Sequence, residues 1–298
     1  MTIVLHLLLV LLVPPLLIGV IAKTKALAAG RSGPPLLQPY YDLAKLMRKG
    51  TVLSGTTTKV FLAGPALAVV APLLASLMLP LASRAPIAFT GDLILFVYLF
   101  ALSRFFTTAA ALDTGSAFEG MGAARELTFS ALAEPALFLG LLALARISGS
   151  LSLSSILEIQ PDAWRSATAP LVLIVASWSI VLLAENSRVP FDDPNTHLEL
   201  TMIHEVMVLD HSGPALGAIL YGSALKLFVF SALVAHVVLP PSGSALADAG
   251  ATLVAVVAFA IAIGAVESGM ARLRLARVPQ LLVTASLIAG FAVVLVLR

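Results

Sequence analysis

Eight stretches of this chain stay apolar for roughly 20 residues each, the length a helix needs to cross the hydrocarbon core of a bilayer. They lie near residues 2–22, 60–82, 88–110, 127–146, 168–185, 214–239, 249–266 and 278–297. The runs are continuous rather than alternating, so they read as helices and not as barrel strands. The chain is therefore expected to be an all-α polytopic membrane protein. It should have about eight transmembrane helices plus short amphipathic cytoplasmic helices. Composition agrees: 59% of the 298 residues are hydrophobic and 11% are charged, against about 25% charged in soluble domains. We read residues 1–298 as a single transmembrane domain, with cytoplasmic loops near 23–59, 111–126, 186–213 and 267–277.

Orientation follows from Lys and Arg in the loops. The odd-numbered connections and nearby span ends hold Lys23, Lys25, Arg31, Lys45, Arg48, Lys49, Lys59, Arg104, Arg125, Arg188, Arg272, Arg274 and Arg277. The other side holds Arg84, Arg146, Arg165 and Arg298. Both termini should then lie outside and the odd loops in the cytoplasm. Ala26-Leu27-Ala28 fits a small-x-small cleavage site. The run before it carries no basic residue, so it reads as a span and not as a removed signal peptide. Pro14-Pro15 should kink that span. The net charge of +2 gives no basis for nucleic-acid binding. The absence of cysteine excludes disulfides, cysteine-ligated zinc and iron–sulfur clusters from this chain.

The polar residues are not spread evenly. Residues 185–211 hold six of the sixteen acids and three of the five histidines. Asp193 with Pro194, or Thr196 with Glu199, can start a helix there. On that helix His197, Thr201, His204, Glu205 and His211 share one face and apolar residues fill the rest. The expected element is a short helix with a titratable stripe. Its histidines recur every seven residues, which at 1.5 Å of rise per residue is about 10.5 Å, too far apart for one metal ion. We therefore expect no metal site. The stripe reads as a solvated, partner-facing or proton-handling surface. In the first loop, Leu43, Leu46 and Met47 at helical spacing suggest an amphipathic surface helix. The glycines of the third loop lack the strand and the Gly-Lys-Ser/Thr of a phosphate cradle.

Four ionisable residues lie within spans and well away from their ends: Arg104, Glu134, Lys226 and His236. A charged side chain at a helix centre costs about 2.5–3.5 kcal/mol on insertion scales, so each should face a partner or a hydrated cavity. Arg104 and Glu134 sit at similar depths on consecutive spans, as an ion pair would. Lys226 has no acid nearby in its own helix, so its partner must come from another span or another subunit. Glu134, Glu185 and Lys226 could form a polar path from the cytoplasm to the middle of the membrane; packing alone is the competing reading.

The stretches "GPPLLQPYYDLAKL", "AENSRVPFDDP", "THLELTMIHEVMVLDHSG" and "ESGMARLRLARVPQLL" resemble the family of complex I subunit 1 and the membrane subunits of membrane-bound [NiFe] hydrogenases. The match is nearest to the hydrogenase branch, the formate hydrogenlyase subunit 4 and hydrogenase-4 component C group, and it runs along essentially the whole chain. The resemblance implies a subunit of a redox complex in a bacterial or archaeal cytoplasmic membrane. It would anchor a cytoplasmic arm made of a [NiFe] hydrogenase large subunit and an iron–sulfur small subunit, beside antiporter-like membrane subunits. The [NiFe] centre and Fe–S clusters would sit in those partners, with no cofactor in this chain.

Carried over, candidates for a proton path or coupling are Arg104, Glu134, Glu185, Glu199, Glu205 and Lys226. Candidates for partner docking are Arg31, Gln38, Asp42, Glu119, Arg125, Glu126, Arg188, Asp192, Asp193, His197, His204 and His211. In complex I the corresponding subunit contributes to a quinone cavity; here the histidine-bearing stretch departs from the usual complex I pattern. A quinone-site subunit of a complex I NADH-quinone oxidoreductase remains the alternative. A lone secondary transporter, whose paired broken helices and repeats are not evident, and a purely structural anchor are the other readings.

Overall fold

The computed structural model describes residues 2–159, 161–192 and 202–298. In chain order its helices are α1 (Thr2–Ala28), α2 (Gln38–Met47), α3 (Lys59–Ser76), α4 (Asp92–Asp113), α5 (Ala117–Ser148), α6 (Leu153–Leu157), α7 (Pro161–Ser166), α8 (Thr168–Glu185), α9 (Gly213–Val238), α10 (Ala245–Gly269) and α11 (Val278–Leu297). Two 3-10 turns cover Glu205–Val208 and Leu275–Arg277, and no strand occurs among the described residues. Eight helices are long and apolar enough to cross a membrane: α1, α3, α4, α5, α8, α9, α10 and α11.

Each expected span has its helix, with two informative shifts. The span α1 continues past residue 22 to Ala28, because Lys25 is not a solvated loop charge but pairs with Glu267 of α10 at 2.8 Å. The span α5 starts at Ala117, so most of the expected loop 111–126 is helical and only residues 114–116 connect α4 to α5. That places Glu119 and Glu126 on a rigid element. The expected surface helix is present as α2; its Lys45, Arg48 and Lys49 stay exposed while Leu43 and Leu46 are half-buried.

The helix α9 is the centre of the bundle. Every residue from Ala224 to Val237 except Lys226 is buried, and α9 packs on α1, α2, α3, α8 and α10. Around it the principal pairings are α3 with α4, α11 with α5 and α8, and α1 with α10. Helices in lipid associate through close packing and polar contacts, since lipid tails are as apolar as leucine. Small residues provide the closeness here. A Cβ on Gly222 of α9 would stand 2.2 Å from the Ala68 carbonyl oxygen of α3, and one on Gly140 of α5 would stand 2.2 Å from the Trp178 indole nitrogen of α8. Hydroxyls add direct ties: Ser177 donates to the Ala285 carbonyl at 2.8 Å, joining α8 to α11.

The helix α1 runs through Pro14 and Pro15. Pro15 has no N–H to offer the carbonyl four residues back, that of Leu11. The Tyr221 hydroxyl of α9 donates to that carbonyl at 3.1 Å, and the Tyr40 hydroxyl of α2 donates to the neighbouring Leu12 carbonyl. A proline in a span is thus tolerated because neighbours satisfy the freed acceptor.

The segment 202–211 differs from the expected helix. Its described part holds only the 3-10 turn Glu205–Val208. Met202, Ile203, Val206 and Met207 are buried, and the Ile203 carbonyl, Val206 and Met207 lie against the bare backbone of Gly122 on α5. The apolar residues therefore anchor the segment in the bundle instead of supporting a helix on its surface. The start signals at Asp193, Pro194, Thr196 and Glu199, and His197, lie outside the described residues. His211 is buried and stacks on Phe61 of α3, ring centroids 4.0 Å apart.

Two predictions follow from the packing. Gly222→Ala must move the Ala68 backbone and should cost about 1–3 kcal/mol, read as a lowered Tm in detergent; Gly250→Ala on α10, with nothing within 4 Å of the added Cβ, should leave Tm unchanged. Burial pushes the His211 imidazole down from 6.5 to about 4. Between those values the unfolded chain takes up a proton there and the folded chain does not, so this histidine lowers stability as pH falls through that window. His211→Phe keeps the stacked ring and removes the titration. Its Tm should fall less than that of the parent chain between pH 6.5 and 4, and parallel acid slopes would contradict the assignment.

Candidate functional site

The helix α8 is 18 residues long, while α4, α5 and α9 have 22, 32 and 26. The last residue of α8, Glu185, meets residues from well inside its neighbours. Arg104 of α4 donates through Nη2 to both Glu185 oxygens at 2.7 Å and through Nη1 to Glu134 Oε1 of α5 at 2.7 Å. Lys226 Nζ of α9 lies 2.8 Å from Glu185 Oε2. Arg104 is 8% exposed and Glu185 7%. The expected pair Arg104–Glu134 is present, and the partner of Lys226 comes from another span, as its isolation in α9 requires. Glu134 and Lys226 are not bonded to each other; Arg104 and Glu185 stand between them. Glu126 of α5 stays looser, 3.9 Å from Arg104 Nε.

Past Glu185 the chain leaves the helix through Asn186 and through Ser187, whose φ of 49° is left-handed. The Ser187 and Arg188 N–H groups close the helix end on the Ala184 and Leu183 carbonyls. A second charge network follows. Arg188 Nη1 lies 3.5 Å from Glu267 Oε1, so Glu267 is shared by Lys25 and Arg188. Asp192 pairs with Arg272 at 3.1 Å and accepts the backbone N–H groups of Ile203 and His204 at 2.9 and 3.2 Å. Arg125 of α5 donates to the Met202 carbonyl at 2.9 Å. These contacts bind 186–192, 202–211, α1, α5, α10 and the chain entering α11 into one polar end.

Two cavities sit between the networks. The inner one, with a volume of about 60 Å³, is lined by Arg104, Glu126, Glu185 and Lys226 together with Asn186, Ser187, His204 and Ser223. The second is open and larger, about 2460 Å³ counting the part that meets solvent, and runs along α1 and α2. Its walls include Pro15, Ile18, Ile21 and Leu220 on the apolar side, and Lys25, Asp42, Arg188, Asp192, Glu205 and Glu267 on the polar side. Because α8 stops early, its trailing residues become wall for both cavities.

The remaining candidates divide by burial. Arg31 and Asp42 are exposed and line the open cavity; Gln38 donates to Asp42 at 2.9 Å along α2. Glu119, Asp192 and His211, expected on a partner-facing surface, are buried and hold this chain's own loops: Glu119 accepts the Asp210 N–H at 3.0 Å. Burial first, partly offset by Glu267, pushes the Arg188 guanidinium down. Asp193, His197 and Glu199 lie outside the described residues. Among the described residues, no group of three His, Cys, Asp or Glu is placed to hold a metal ion. Sequence reasoning passed over Lys25, Ser223, Glu267 and Arg272. For Glu267 the available signal was an acid closing an otherwise apolar span, which needs a cation from a neighbouring helix.

Comparison with known proteins agrees with this architecture. A family model described as NADH dehydrogenase matches residues 1–298. Formate hydrogenlyase subunit 4 of Escherichia coli (strain K12) is 33% identical over 277 residues, covering 90% of this chain and 89% of that protein. Hydrogenase-4 component C of the same organism is 34% identical over 231 residues, covering 77% and 72%. A chain in the structure of the membrane-bound sulfane sulfur reductase, an archaeal respiratory membrane complex, superposes with a TM-score of 0.85 at 26% identity over 99% of both chains. Eight spans, charges buried where four of them meet, and sequence similarity along the full length lead to one assignment: the chain belongs to the NADH dehydrogenase family of membrane proteins.

Proposed function

We propose that this chain is the membrane-anchor and energy-coupling subunit of a multi-subunit, membrane-bound [NiFe] hydrogenase complex of the formate hydrogenlyase type. In this reading its odd-numbered loops face the cytoplasm and both termini lie outside. The polar end docks a cytoplasmic arm made of the hydrogenase large subunit and an iron–sulfur small subunit, which carry the metal centres. The chain itself handles protons. The observation that carries the reading is the cluster Glu134–Arg104–Glu185–Lys226, four charges from four spans held in short ion pairs at the end of a cavity. Buried charges of this kind mark ion pathways in membrane proteins. The names of the two E. coli relatives support the hydrogenase setting.

The cluster also suggests where a proton can be held. Arg104 and Lys226 are balanced at 2.7–2.8 Å by Glu134 and Glu185. Glu126 is the surplus carboxylate, so its protonation can change without breaking a short ion pair. Glu134 extends the path sideways: its side chain is 36% exposed on the flank of the bundle, and a carboxylate left facing lipid is costly. A neighbouring antiporter-like membrane subunit covers it in this reading. A second reading, a quinone-site subunit of an NADH-quinone oxidoreductase, is favoured by one observation, the apolar wall of the open cavity.

Two measurements test the proposal. Affinity capture of the tagged chain from solubilised membranes, followed by metal analysis, should give nickel together with iron; iron with flavin and no nickel would transfer the assignment to the quinone reading. In sealed vesicles bearing the assembled complex, Lys226→Met and Glu134→Gln should each sharply lower the protons moved per electron pair, because each unbalances the buried charges beside Glu126. Unchanged proton movement in both would refute the coupling role. Glu185→Gln is expected to behave differently. It removes the short ion pair of Lys226 and leaves Arg104 with Glu134 alone, a defect costing about 3–5 kcal/mol for a broken buried pair, so it should reduce the amount of assembled complex.

A further inference from the structure

The inner and open cavities share four wall residues, Asn186, Ser187, His204 and Ser223. Of these only histidine carries an ionisable ring. His204 is positioned from two sides. Its backbone N–H donates to Asp192 Oδ2 at 3.2 Å, and its ring Nε2 lies 3.2 Å from Ser223 Oγ. Ser223 stands about one helical turn before Lys226 on α9 and lines the inner cavity beside it.

We propose that His204 is the proton-transfer residue joining the open cavity to the buried charge cluster, with the Ser223 hydroxyl next in line. The proposal rests on the coupling role argued above. Imidazole suits the position because it can accept a proton at one nitrogen and release one from the other. A proton from water in the open cavity adds to the ring nitrogen that lacks one. The imidazolium gives its Nε2 proton to Ser223 Oγ, and Ser223 releases its own hydroxyl proton into the inner cavity. Glu126 accepts it there through water, as the carboxylate not held in a short ion pair. One proton has then moved, no bond between heavy atoms has changed, and His204 and Ser223 are neutral again.

The surroundings favour a ring that is neutral at rest. Burial is the first cause, Lys226 and Arg188 act in the same direction, Asp192 opposes them, and together they bring His204 down to about 4. Glu205 follows it in the chain, and Glu126 faces the inner cavity from α5. A neutral ring is the form able to take up a proton; a permanently charged one would repel it.

The test uses the assembled complex in sealed vesicles, with reduced methyl viologen as electron donor, and reads protons moved per electron pair. His204→Ala should lower the ratio at least about tenfold. Added imidazole should restore it, while pyrazole, a ring of the same size that stays unprotonated near neutral pH, should not; recovery with both rings would reduce His204 to a space-filling role. Ser223→Ala, a small change that keeps helix packing, should lower the ratio as well and serves if the histidine variant does not assemble. Wild-type ratios in both variants, alongside uncoupled Lys226→Met and Glu134→Gln, would overturn this proposal and leave the coupling role standing. Wild-type vesicles that move no protons would remove both.

Discussion

The arrangement of the polar half of this protein depends on Glu185. Arg104 and Lys226 sit in the middle of apolar helices, where either charge alone is costly. A single carboxylate meets both, with two hydrogen bonds to the guanidinium and one ion pair to the ammonium. Its place at the end of α8 is what makes this possible. Glu185 ends a helix that stops short of its longer neighbours, and from that end its carboxylate reaches both cations. The same early stop exposes backbone acceptors, and the turn through Asn186 and Ser187 closes them with its own N–H groups.

Two consequences follow for the space around the cluster. Where α8 is missing, α4, α5 and α9 continue, and the gap becomes the inner cavity. Its wall is completed by His204 of the segment 202–211. That segment is held by Asp192, which accepts two N–H groups from it and pairs with Arg272. Asp192 therefore joins the mouth of the cavity to the chain entering α11, while Glu267 joins it to α1 through Lys25. The four charges in the membrane and a belt of ion pairs at its edge are thus linked through residues 186–192 and 202–211.

How much of this the sequence disclosed follows from what each feature depends on. The spans were legible because hydropathy is a property of the local run of residues, and the pair Arg104–Glu134 because the two sit at similar depths on consecutive spans. The partner of Lys226 could be required but not named, since a linear sequence carries no distance between α8 and α9. Lys25 and Glu267 each looked like an ordinary charge at a span end; only the packing of α1 on α10 makes them a pair. The start of α5 was misplaced because Gly120 and Gly122 suggest a loop, yet Gly122 is there to let Ile203, Val206 and Met207 approach. The segment 202–211 was misread for a related reason. Its apolar residues have helical spacing, but in a bundle that already holds α5 and α9 they are buried more effectively by folding inward than by lying on a surface.

The charge balance of the cluster limits what any coupling mechanism here can use. Arg104 and Lys226 against Glu134 and Glu185 sum to zero, and each contact is short, so moving a proton onto Glu134 or Glu185 breaks an ion pair in a region of low dielectric. Removing one partner of such a pair is far more costly than the net worth of the pair. Glu126 is outside this constraint, 3.9 Å from Arg104 and without a short ion pair to it. Under the proposed role, a signal from the redox arm need not pull the cluster apart. It has only to alter access to Glu126, and the wall that governs access is the chain from Asn186 to Asp192 and from Met202 to His211, the same chain that Asp192, Arg188 and Arg272 hold to the polar end.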